Sequence, residues 1–483
     1  MVRALAIDIG TTILRTGIVD TAGNLTHAHQ HGLTIKTPNP GEVELDAREI
    51  ARLTLELARR TLADGGECEV VGITNQRAST IVFDPSTGEP VGPALGWQDL
   101  RTVIDCLVLQ GEGLRLAPNQ SATKAQWLVR HSGRAPQELR FATIETWVAW
   151  QLTGGDAHVS DHSNAGVTGL VKVGVDEWDE GALGILGLDI AMMPTLVDTM
   201  GEHGIARVLP GSPRITALIG DQPASLFGQC CITRGTKITF GTGAMLDTIS
   251  GTTGPSTMTK FASGCFPIVA RSRHGSLVWG IEGIVLAAGS CIEWLRDDLG
   301  LINAPGDTEA LAMSVESTDD VWFVPALSGL GTPQWDFGAR GGFFGITRGT
   351  TTAHLVRAVL EGIAHRGADL VDAAQRQIGA TIEEIRVDGG MTANTFFVQS
   401  LANYTGVPVT VSPQREATTR GAGLMALVSA GYLSLEDVEQ MWEPERVLVP
   451  QLSDDRRHEV RTTWAAQVAR VEKTIPELSA VEF

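Results

Sequence analysis

The chain has 483 residues, 43% of them hydrophobic and 19% charged, which is enough for two or more globular domains with cores of their own. Its 37 Lys and Arg against 56 Asp and Glu give a net charge of −19, which argues against nucleic acid or an anionic membrane as a partner. This charge does not exclude an anionic nucleotide, because a local cradle of backbone N–H groups can overcome the overall field.

The 6 cysteines form no CxxC pair and have no histidine cluster beside them. Neither zinc nor a disulfide framework is therefore predicted, and reduced thiols are the default. No signal peptide precedes the first predicted strand, and no apolar run is long enough to span a bilayer. We expect a cytoplasmic protein with neither nucleic acid nor membrane as a partner.

The N-terminal stretch alternates apolar residues and ends in a glycine turn. Residues 4–9 are predicted as a strand, Gly10-Thr11-Thr12 as a turn and residues 14–20 as a returning strand. Asp8 lies just before this turn and faces away from its two isoleucine neighbours. The pattern predicts a hairpin whose tip is rich in glycine and hydroxyl groups.

The next part of the chain alternates helices and short strands. Apolar spacing predicts a helix over 46–62, ended by two glycines, and further helices over 125–129 and 145–152. Short strands are predicted over 70–73 and 81–83, and the polar segment 158–164 is predicted as a loop.

An apolar run in the middle of the chain ends in Gly220, and Asp221 follows at the start of a helix-forming run. Helix capping is one interpretation of Asp221, because Asp is a preferred N-cap residue. Residues 237–249 then repeat the strand, tip and strand plan of the N-terminus, with Gly241-Thr242-Gly243 at the tip. A plan that occurs once in each half suggests duplication of a domain.

Helices and strands also alternate in the last third of the chain. Helices are predicted over 352–371, 394–403 and 422–429, and strands over 385–387 and 407–411, the latter at a sheet edge or beginning only after Pro408. The alternation indicates an α/β fold with a mixed sheet in each half. The polar chain after Tyr432 is predicted to be peripheral helix.

Three glycine tips follow predicted strands: Gly10-Thr11-Thr12, Gly241-Thr242-Gly243 and Gly389-Gly390. Glycine lets a backbone approach a phosphate and turn its N–H groups toward it, although each tip alone is also compatible with an ordinary turn. None is a Walker loop, and none is a GxGxxG opening a helix. Phosphoryl transfer needs such a cradle, a metal and a base, roles for which Asp8 and Asp221 are available.

Arg77 and Trp97 are candidates for a polar substrate pocket. The flat face of Trp97 suits the C–H face of a sugar, and its N–H can donate a hydrogen bond. The alternative interpretation is a surface arginine and a core tryptophan.

These motifs, in this order, resemble the FGGY carbohydrate kinases, and the glycerol kinases in particular. The resemblance runs from about residue 3 to about residue 431. It rests on Asp8-Ile9-Gly10-Thr11-Thr12, Asn75-Gln76-Arg77, Trp97-Gln98-Asp99-Leu100-Arg101-Thr102, Gly220-Asp221-Gln222, Phe240-Gly241-Thr242-Gly243, Asp388-Gly389-Gly390 and matching stretches between 323 and 349.

The resemblance implies an α/β fold of two actin-like, ribonuclease-H-like domains with the active site in the cleft between them. Residues 1–236 would form the substrate side, 237–432 the nucleotide side and 433–483 a peripheral helical tail. ATP and magnesium would be the co-substrates, a small polyol or sugar would be phosphorylated, and a homodimer is expected by analogy.

The resemblance also implies a role for each matching residue. Asp221 would take the proton from the terminal hydroxyl of the substrate, and Asp8 would approach magnesium. Arg77, Trp97 and Gln222 would face the substrate together with Asp221. The implied nucleotide contacts are Thr11, Thr12, Arg15 and Thr242 at the phosphates, Gly289 and Glu293 near the nucleotide, and Gly390 and Asn394 beside the adenosine.

Three residues of the substrate pocket depart from the glycerol kinase pattern. Ala78 stands where a glutamate binds glycerol hydroxyls, Asn119 where a tyrosine is usual, and Met245 where a phenylalanine is usual. Loss of the carboxylate removes a charge-assisted hydrogen bond, commonly ~1.5–3 kcal/mol, and the first two changes enlarge the pocket. We expect a longer polyol or a ketose of four or five carbons, such as erythritol or xylulose, to be preferred over glycerol.

One further departure concerns regulation. Glycerol kinases that fructose 1,6-bisphosphate inhibits carry a glycine-rich basic loop shortly before the Gly-Asp-Gln. Residues 201–207 do not match it, so we expect no such inhibition.

A different class of protein shares the tips and the two halves. An actin-like ATPase that works by conformational change, such as a chaperone or a filament protein, would need no sugar site. Arg77, Trp97 and the Gly-Asp-Gln around Asp221 favour the kinase. A degenerate kinase that binds without catalysis is disfavoured, because Asp8, Asp221 and Thr242 are all present.

Overall fold

The computed structural model describes residues 2–480, so the first residue of the predicted N-terminal domain and residues 481–483 of the predicted tail lie outside the described residues. The strands are β1 Arg3–Ile9, β2 Ile13–Asp20, β3 Leu25–Gly32, β4 Glu44–Leu45, β5 Val70–Asn75, β6 Ile81–Asp84, β7 Glu89–Pro90, β8 Ala94–Leu95, β9 Arg140–Ala142, β10 Val159–Asp161, β11 Thr195–Val197, β12 Arg214–Gly220, β13 Thr236–Phe240, β14 Ala244–Gly251, β15 Phe266–Arg273, β16 Ser276–Val285, β17 Trp322–Val324, β18 Gly342–Phe344, β19 Ile385–Asp388, β20 Val409–Val411 and β21 Arg446–Leu448.

The helices are α1 Ala47–Gly65, α2 Val103–Gly111, α3 Ala122–Ser132, α4 Ile144–Thr153, α5 His162–Ala165, α6 Glu180–Leu186, α7 Asp221–Gly228, α8 Gly289–Asp297, α9 Asp307–Met313, α10 Thr352–Ile378, α11 Thr395–Thr405, α12 Ala417–Ser429, α13 Leu435–Gln440, α14 Asp454–Ala469 and α15 Pro476–Ser479. Every helix predicted from the sequence is present, but α10 ends seven residues after its predicted end at 371 and α12 begins five residues before its predicted start at 422.

The N-terminal half is built on a mixed sheet with strand order β3-β2-β1-β5-β12. Strand β1 pairs antiparallel with β2 and parallel with β5, and β5 pairs parallel with β12. Helix α1 begins at its N-cap Asp46, whose side chain accepts hydrogen bonds from two backbone N–H groups of the first turn. Its apolar stripe, which includes Ile50, Leu53 and Leu57, is buried in the core against this sheet.

The C-terminal half is built on a larger sheet with strand order β15-β16-β14-β13-β19-β20-β21. Its central part, β16-β14-β13-β19-β20, repeats both the order and the strand directions of the N-terminal sheet. The repeat suggested by the two glycine tips therefore extends to five strands of each sheet. The long helix α10 packs on this sheet and buries Val356, Val359 and Ile363 in the core.

Helices α7 and α12 cross between the two sheets. Helix α12 covers the face of the N-terminal sheet that α1 leaves open, and α7 contacts both sheets. The two helices approach so closely that a Cβ at Gly228 would collide with the carbonyl of Ala417, and one at Gly421 with the carbonyl of Ala224. Although α12 lies within the range 237–432 predicted for the C-terminal domain, it packs mainly on the N-terminal half.

Of the two alternatives predicted for 407–411, the second is confirmed, because β20 begins at Val409 and β21 takes the sheet edge. Two other local predictions were wrong. Residues 158–164 form β10 and the start of α5 instead of a loop, because their polar side chains are buried and hydrogen-bonded. The tail after Tyr432 is not only peripheral helix, because β21 pairs with β20 and Trp464 is buried. Within residues 2–480, no helix combines the length and the hydropathy that crossing a membrane requires.

Candidate active site

Asp221 is the first residue of α7, directly after the last residue of β12. Its Oδ1 accepts hydrogen bonds from Arg77 Nε at 3.2 Å and from the backbone N–H of Gln222 at 2.8 Å. Its Oδ2 accepts none from the part of the chain that the structure describes, and a quarter of the side chain (26%) is exposed. The N-cap position belongs to Gly220, so capping is not the role of Asp221. One carboxylate oxygen is fixed, and the other faces the cleft, where it can accept a proton.

Arg77 links the two halves at the bottom of the cleft. Besides Asp221, its guanidinium donates through Nη2 to Glu282 on β16. Its Nη1 is buried and has no hydrogen-bond partner among the described residues. Burial raises the pKa of Glu282 to about 7, against the opposing effect of the Arg77 charge. The stem of Arg77 crosses Gly220 so closely that a Cβ there would lie 2.5 Å from Arg77 Cδ.

A second buried charge pair lies beside Gln222. Lys237 on β13 and Asp247 on β14 are cross-strand neighbours, and their charged atoms are 2.7 Å apart with both side chains fully buried. The contact is an ion pair and not a hydrogen bond, because neither Asp247 oxygen meets hydrogen-bond geometry. Lys237 Nζ also donates to Gln222 Oε1 at 2.6 Å and to Thr239 Oγ1 at 3.1 Å.

The first glycine tip contacts the predicted substrate platform directly. Trp97 Nε1 donates to Thr11 Oγ1 at 3.1 Å, and Gln76 Nε2 donates to the carbonyl of Gly10 at 3.1 Å. The backbone carbonyl of Trp97 accepts from the buried Lys124 Nζ at 3.1 Å. The structure therefore brings Trp97 and the tip together, where a substrate and a phosphate would meet.

The second and third tips lie against each other and against the start of α8. The backbone N–H of Gly289 donates to the carbonyl of Gly241 at 2.9 Å, and a Cβ on Gly289 would lie 2.5 Å from that oxygen. Gly389 has φ +94°, and a Cβ there would collide with the carbonyl of Phe240. Thr242 and Gly390 remain exposed at this junction. Exposed backbone and hydroxyl donors with no side chains in the way suit a polyphosphate.

Asp8 is a buried carboxylate at the end of β1. Thr419 Oγ1 donates to its Oδ2 at 2.7 Å, and burial raises its pKa to about 7, with a smaller contribution from the charge of Asp221. Among residues 2–480 no three His, Cys, Asp or Glu side chains converge on one point. The single carboxylate of Asp8 fits Mg²⁺, because Mg²⁺ commonly takes one or two carboxylates and completes its shell with water and phosphate oxygens.

Two predicted nucleotide residues are engaged elsewhere in the structure. Arg15 Nη1 forms an ion pair with Glu416 at 3.1 Å. Asn394 caps α11, with Oδ1 accepting from Phe397 N at 2.9 Å and Nδ2 donating to Thr308 Oγ1 at 3.1 Å. Binding of a nucleotide by either side chain stays a prediction. It requires Arg15 to give up or share its ion pair, and Asn394 its hydrogen bonds.

The other predicted residues differ in exposure. Glu293 on α8, Asn119 before α3 and Thr12 at the first tip are exposed. Met245 is half-buried and lies on the same face of β14 as Asp247, two residues away. Ala78 is buried, with φ +62°.

A buried polar network supports the backbone just before Asp221. Ser163 Oγ accepts from the N–H of Gly220 at 2.8 Å and donates to Asp161 Oδ2 at 2.5 Å. Asn164 connects Asp161 to Asn75, at the end of β5. Burial raises the pKa of Asp161 to about 6. The network ties the ends of β5 and β12 together, and with them Arg77 and Asp221.

Lys237, Asp247 and Glu282 were not predicted from the sequence to belong to the site. The signal for the first two was a charged residue in each of two otherwise apolar strands. A charge on the buried face of a strand is costly unless it is paired with an opposite charge. Which residue provides that charge depends on strand register, which a sequence alone does not give.

Both halves of the chain resemble known proteins. Residues 3–209 match the model of the N-terminal domain of the FGGY family of carbohydrate kinases, and residues 236–430 match that of its C-terminal domain. A glycerol kinase of Deinococcus radiodurans is 37% identical over 96% of this chain and 97% of its own length. One of Aromatoleum aromaticum is 39% identical over 96% and 98%.

The fold of the chain also matches that of a solved structure. A crystal structure of Plasmodium falciparum glycerol kinase with ADP superposes with a TM-score of 0.90 at 26% identity, over 100% of this chain and 99% of that one. This similarity confirms the predicted fold of two actin-like α/β domains.

Proposed function

Because the chain belongs to the FGGY family of carbohydrate kinases, we propose that it phosphorylates a terminal hydroxyl of a four- or five-carbon polyol or ketose, such as erythritol or xylulose, in preference to glycerol. Membership of the family makes it an ATP-dependent phosphotransferase with an alcohol group as acceptor, and Mg²⁺ accompanies the ATP. Both matching models describe carbohydrate kinases, so the alternative of an ATPase without a sugar substrate is set aside.

The observation that carries the mechanism is the free Oδ2 of Asp221. In the proposed reaction, this oxygen takes the proton of the terminal hydroxyl while the hydroxyl oxygen bonds to the γ-phosphorus of ATP. The bond from that phosphorus to the β–γ bridging oxygen breaks, and ADP leaves with the oxygen. The proton then passes from Asp221 to water. Arg77 Nε, which holds Oδ1 at 3.2 Å, keeps the carboxylate in the orientation that this transfer needs.

The glycine tips and Asp8 would serve the nucleotide. Backbone N–H groups of Thr11-Thr12 and Gly241-Thr242-Gly243 would hold the phosphates, and Gly390 would lie beside the adenosine. Asp8 would hold Mg²⁺, which neutralises the phosphate charge when bound. Glu293, Arg15 and Asn394 keep their predicted nucleotide roles as part of this proposal.

The preference for a larger substrate rests on Ala78. Its methyl group leaves a buried position without the carboxylate that glycerol kinases use, while Asn119 is exposed and leaves space at the other predicted wall. Glycerol is the second candidate, because relatives 37% and 39% identical to this chain are named glycerol kinases.

The test is ADP release with MgATP against glycerol, erythritol, threitol, erythrulose, xylulose, ribulose, xylitol and arabinitol. We expect a four- or five-carbon compound to give the highest kcat/KM, and Asp221→Asn to lower kcat by about 10²- to 10⁴-fold with its fold intact. A faster reaction with glycerol at low concentration would refute the proposed preference. Release of ADP that no sugar stimulates would refute the kinase.

Two further properties are part of the proposal. A homodimer follows from analogy with other two-domain kinases, and light scattering of the purified protein measures it. A cytoplasmic location is proposed because the free, buried cysteines suit a reducing compartment, and fractionation of the source cells tests it.

A further inference from the structure

The amide of Gln222 is held in one orientation. A lysine ammonium only donates hydrogen bonds, so the Gln222 atom that lies 2.6 Å from Lys237 Nζ is the carbonyl oxygen Oε1. The amide nitrogen Nε2 therefore points away from Lys237. It donates to no described protein atom, and the half-buried side chain borders the cleft next to Asp221. Gln222 thus presents its two amide N–H donors to a ligand, while its carbonyl oxygen is held by Lys237.

Asp247 is the counter-ion of Lys237. Lys237 is fully buried, and its three contacts are Asp247, Gln222 and Thr239, at 2.7, 2.6 and 3.1 Å. An ammonium without a counter-ion would be costly at such a site. The cross-strand register of β13 and β14 places the Asp247 carboxylate directly opposite. The pair therefore fixes both the position of the Lys237 ammonium and, through it, the orientation of the Gln222 amide.

Arg77 adds a second unused donor. The side chain is only 10% exposed, two of its nitrogens are held by Asp221 and Glu282, and its Nη1 is buried without a partner. A buried unpaired donor of a charged group is destabilising, and a ligand oxygen would relieve it. Arg77 Nε and the backbone N–H of Gln222 both donate to Asp221 Oδ1, so both residues border the proposed base.

Acceptors are scarce on the same side of the cleft. Ala78 has no polar side chain, Glu282 is engaged with Arg77, and Asp221 Oδ2 is reserved for the reacting hydroxyl. The Trp97 N–H is already donated to Thr11. A secondary hydroxyl of a polyol can accept from the free donors, but its own proton then lacks a partner. A carbonyl oxygen accepts two hydrogen bonds and has no proton to place.

We propose that Lys237 and Asp247 are positioning residues that hold Gln222 as a donor, and that the resulting donor pair makes the enzyme prefer a ketose to the polyol of the same length. This inference rests on the proposed function, since it concerns the substrate of that same site. Erythrulose, erythritol and threitol compare the two chemistries most directly, because they share four carbons and differ in one carbonyl or hydroxyl group.

The first measurement is kcat/KM for these three compounds with the intact protein. We expect erythrulose to exceed both polyols about tenfold or more, the difference lying mainly in KM, because an unpaired buried polar group is worth about that factor. Equal or higher values for the polyols would overturn the donor-pair selection. No sugar-dependent reaction with any compound, glycerol included, would overturn the proposed function itself, and the inference with it.

The second measurement changes the direction of the Gln222 hydrogen bond. Gln222→Glu keeps the size of the side chain and can still accept from Lys237, but it presents an acceptor to the substrate. We expect the ratio of erythrulose to erythritol to invert. A ratio that stays as in the wild type would show that Gln222 does not select the substrate.

The third measurement removes the positioning pair as a unit. Lys237→Met with Asp247→Leu takes away both members of the ion pair, so neither is left without the other, and frees the amide to rotate. We expect the ratio to fall toward one while thermal unfolding stays cooperative. The control is Thr236→Val with Thr248→Val, the hydrogen-bonded pair in the adjacent register of the same strands, which should keep the ratio. An unchanged ratio in the folded Lys237/Asp247 variant would refute the positioning role.

Discussion

Ala78 is the residue at which substrate choice can be tested by restoring a side chain. It already has φ +62°, so a larger L-residue adds no new backbone strain at this position. Ala78→Glu should raise kcat/KM for glycerol relative to erythrulose by about tenfold, because a carboxylate gives hydroxyl protons an acceptor. Steady-state kinetics with both substrates measure the change.

The control for that substitution is Ala78→Leu, which fills similar space without an acceptor. It should lower kcat/KM for both substrates and leave their ratio unchanged. A glycerol ratio that rises equally in both variants would mean that volume, and not hydrogen bonding, sets the preference.

At the residue scale, the sequence predicts a functional residue where the signal is local, and it does not where the signal depends on distant residues. Asp221 was identified from a strand end followed by a helix start, and Thr11 from a glycine tip. Lys237 and Asp247 were not predicted, because their pairing depends on the register between β13 and β14. Their proposed function depends in addition on Gln222, which lies on another element. Burial also depends on parts of the chain that are distant in sequence. The sequence therefore did not show that Glu282 is buried against Arg77.

At the scale of elements, the crossing of α7 and α12 depends on two glycines. Gly228→Ala should destabilise the protein by about 1–3 kcal/mol or more, because the added methyl meets the Ala417 carbonyl and the helices must separate. The same displacement moves the first turn of α7, so kcat should also fall. Urea unfolding and steady-state kinetics measure the two effects.

The matched control is Gly184→Ala in α6, where an added methyl meets nothing within 4 Å. Alanine favours helix over glycine by about 1 kcal/mol, so this variant should be as stable as the wild type or slightly more so. Equal stability of the two variants would show that the α7–α12 contact tolerates separation.

Elements were predictable where apolar periodicity was strong. Helix α10 and the strands around each glycine tip follow directly from apolar spacing. Strand β3 was missed because its sequence, Leu-Thr-His-Ala-His-Gln-His-Gly, is polar on both faces, as an exposed strand at the sheet edge allows. Segment 158–164 was predicted as a loop from its polar composition, which does not reveal that hydroxyls and carboxylates will satisfy one another in the interior.

At the scale of the whole molecule, buried histidines make stability depend on pH. Burial lowers the pKa of His158 to about 4, while its imidazole contacts the carbonyl of Phe141 at 2.8 Å. Below the ordinary pKa of 6.5 the unfolded chain binds a proton that the folded protein does not, so stability is lost as the pH falls toward 4. Between about pH 7.5 and about pH 5.5 this single group should contribute about 1–2 kcal/mol to the loss.

Urea unfolding at the two pH values checks this contribution. His158→Gln keeps a donor for the Phe141 carbonyl and has no proton to gain, so its stability should fall less on acidification than that of the wild type. The exposed His458, changed to Gln in the same way, is the control. Identical losses in the wild type and His158→Gln would contradict the prediction.

The position of α12 in the chain has a consequence for synthesis on the ribosome. The N-terminal sheet is complete once β12 ends at Gly220, but the helix that covers its second face begins only at Ala417, about 200 residues later. At about 5–20 residues per second, the apolar face around Ala6 and Ile219 stays uncovered for about 10–40 s. The nascent chain is therefore most prone to aggregation between these two points of translation.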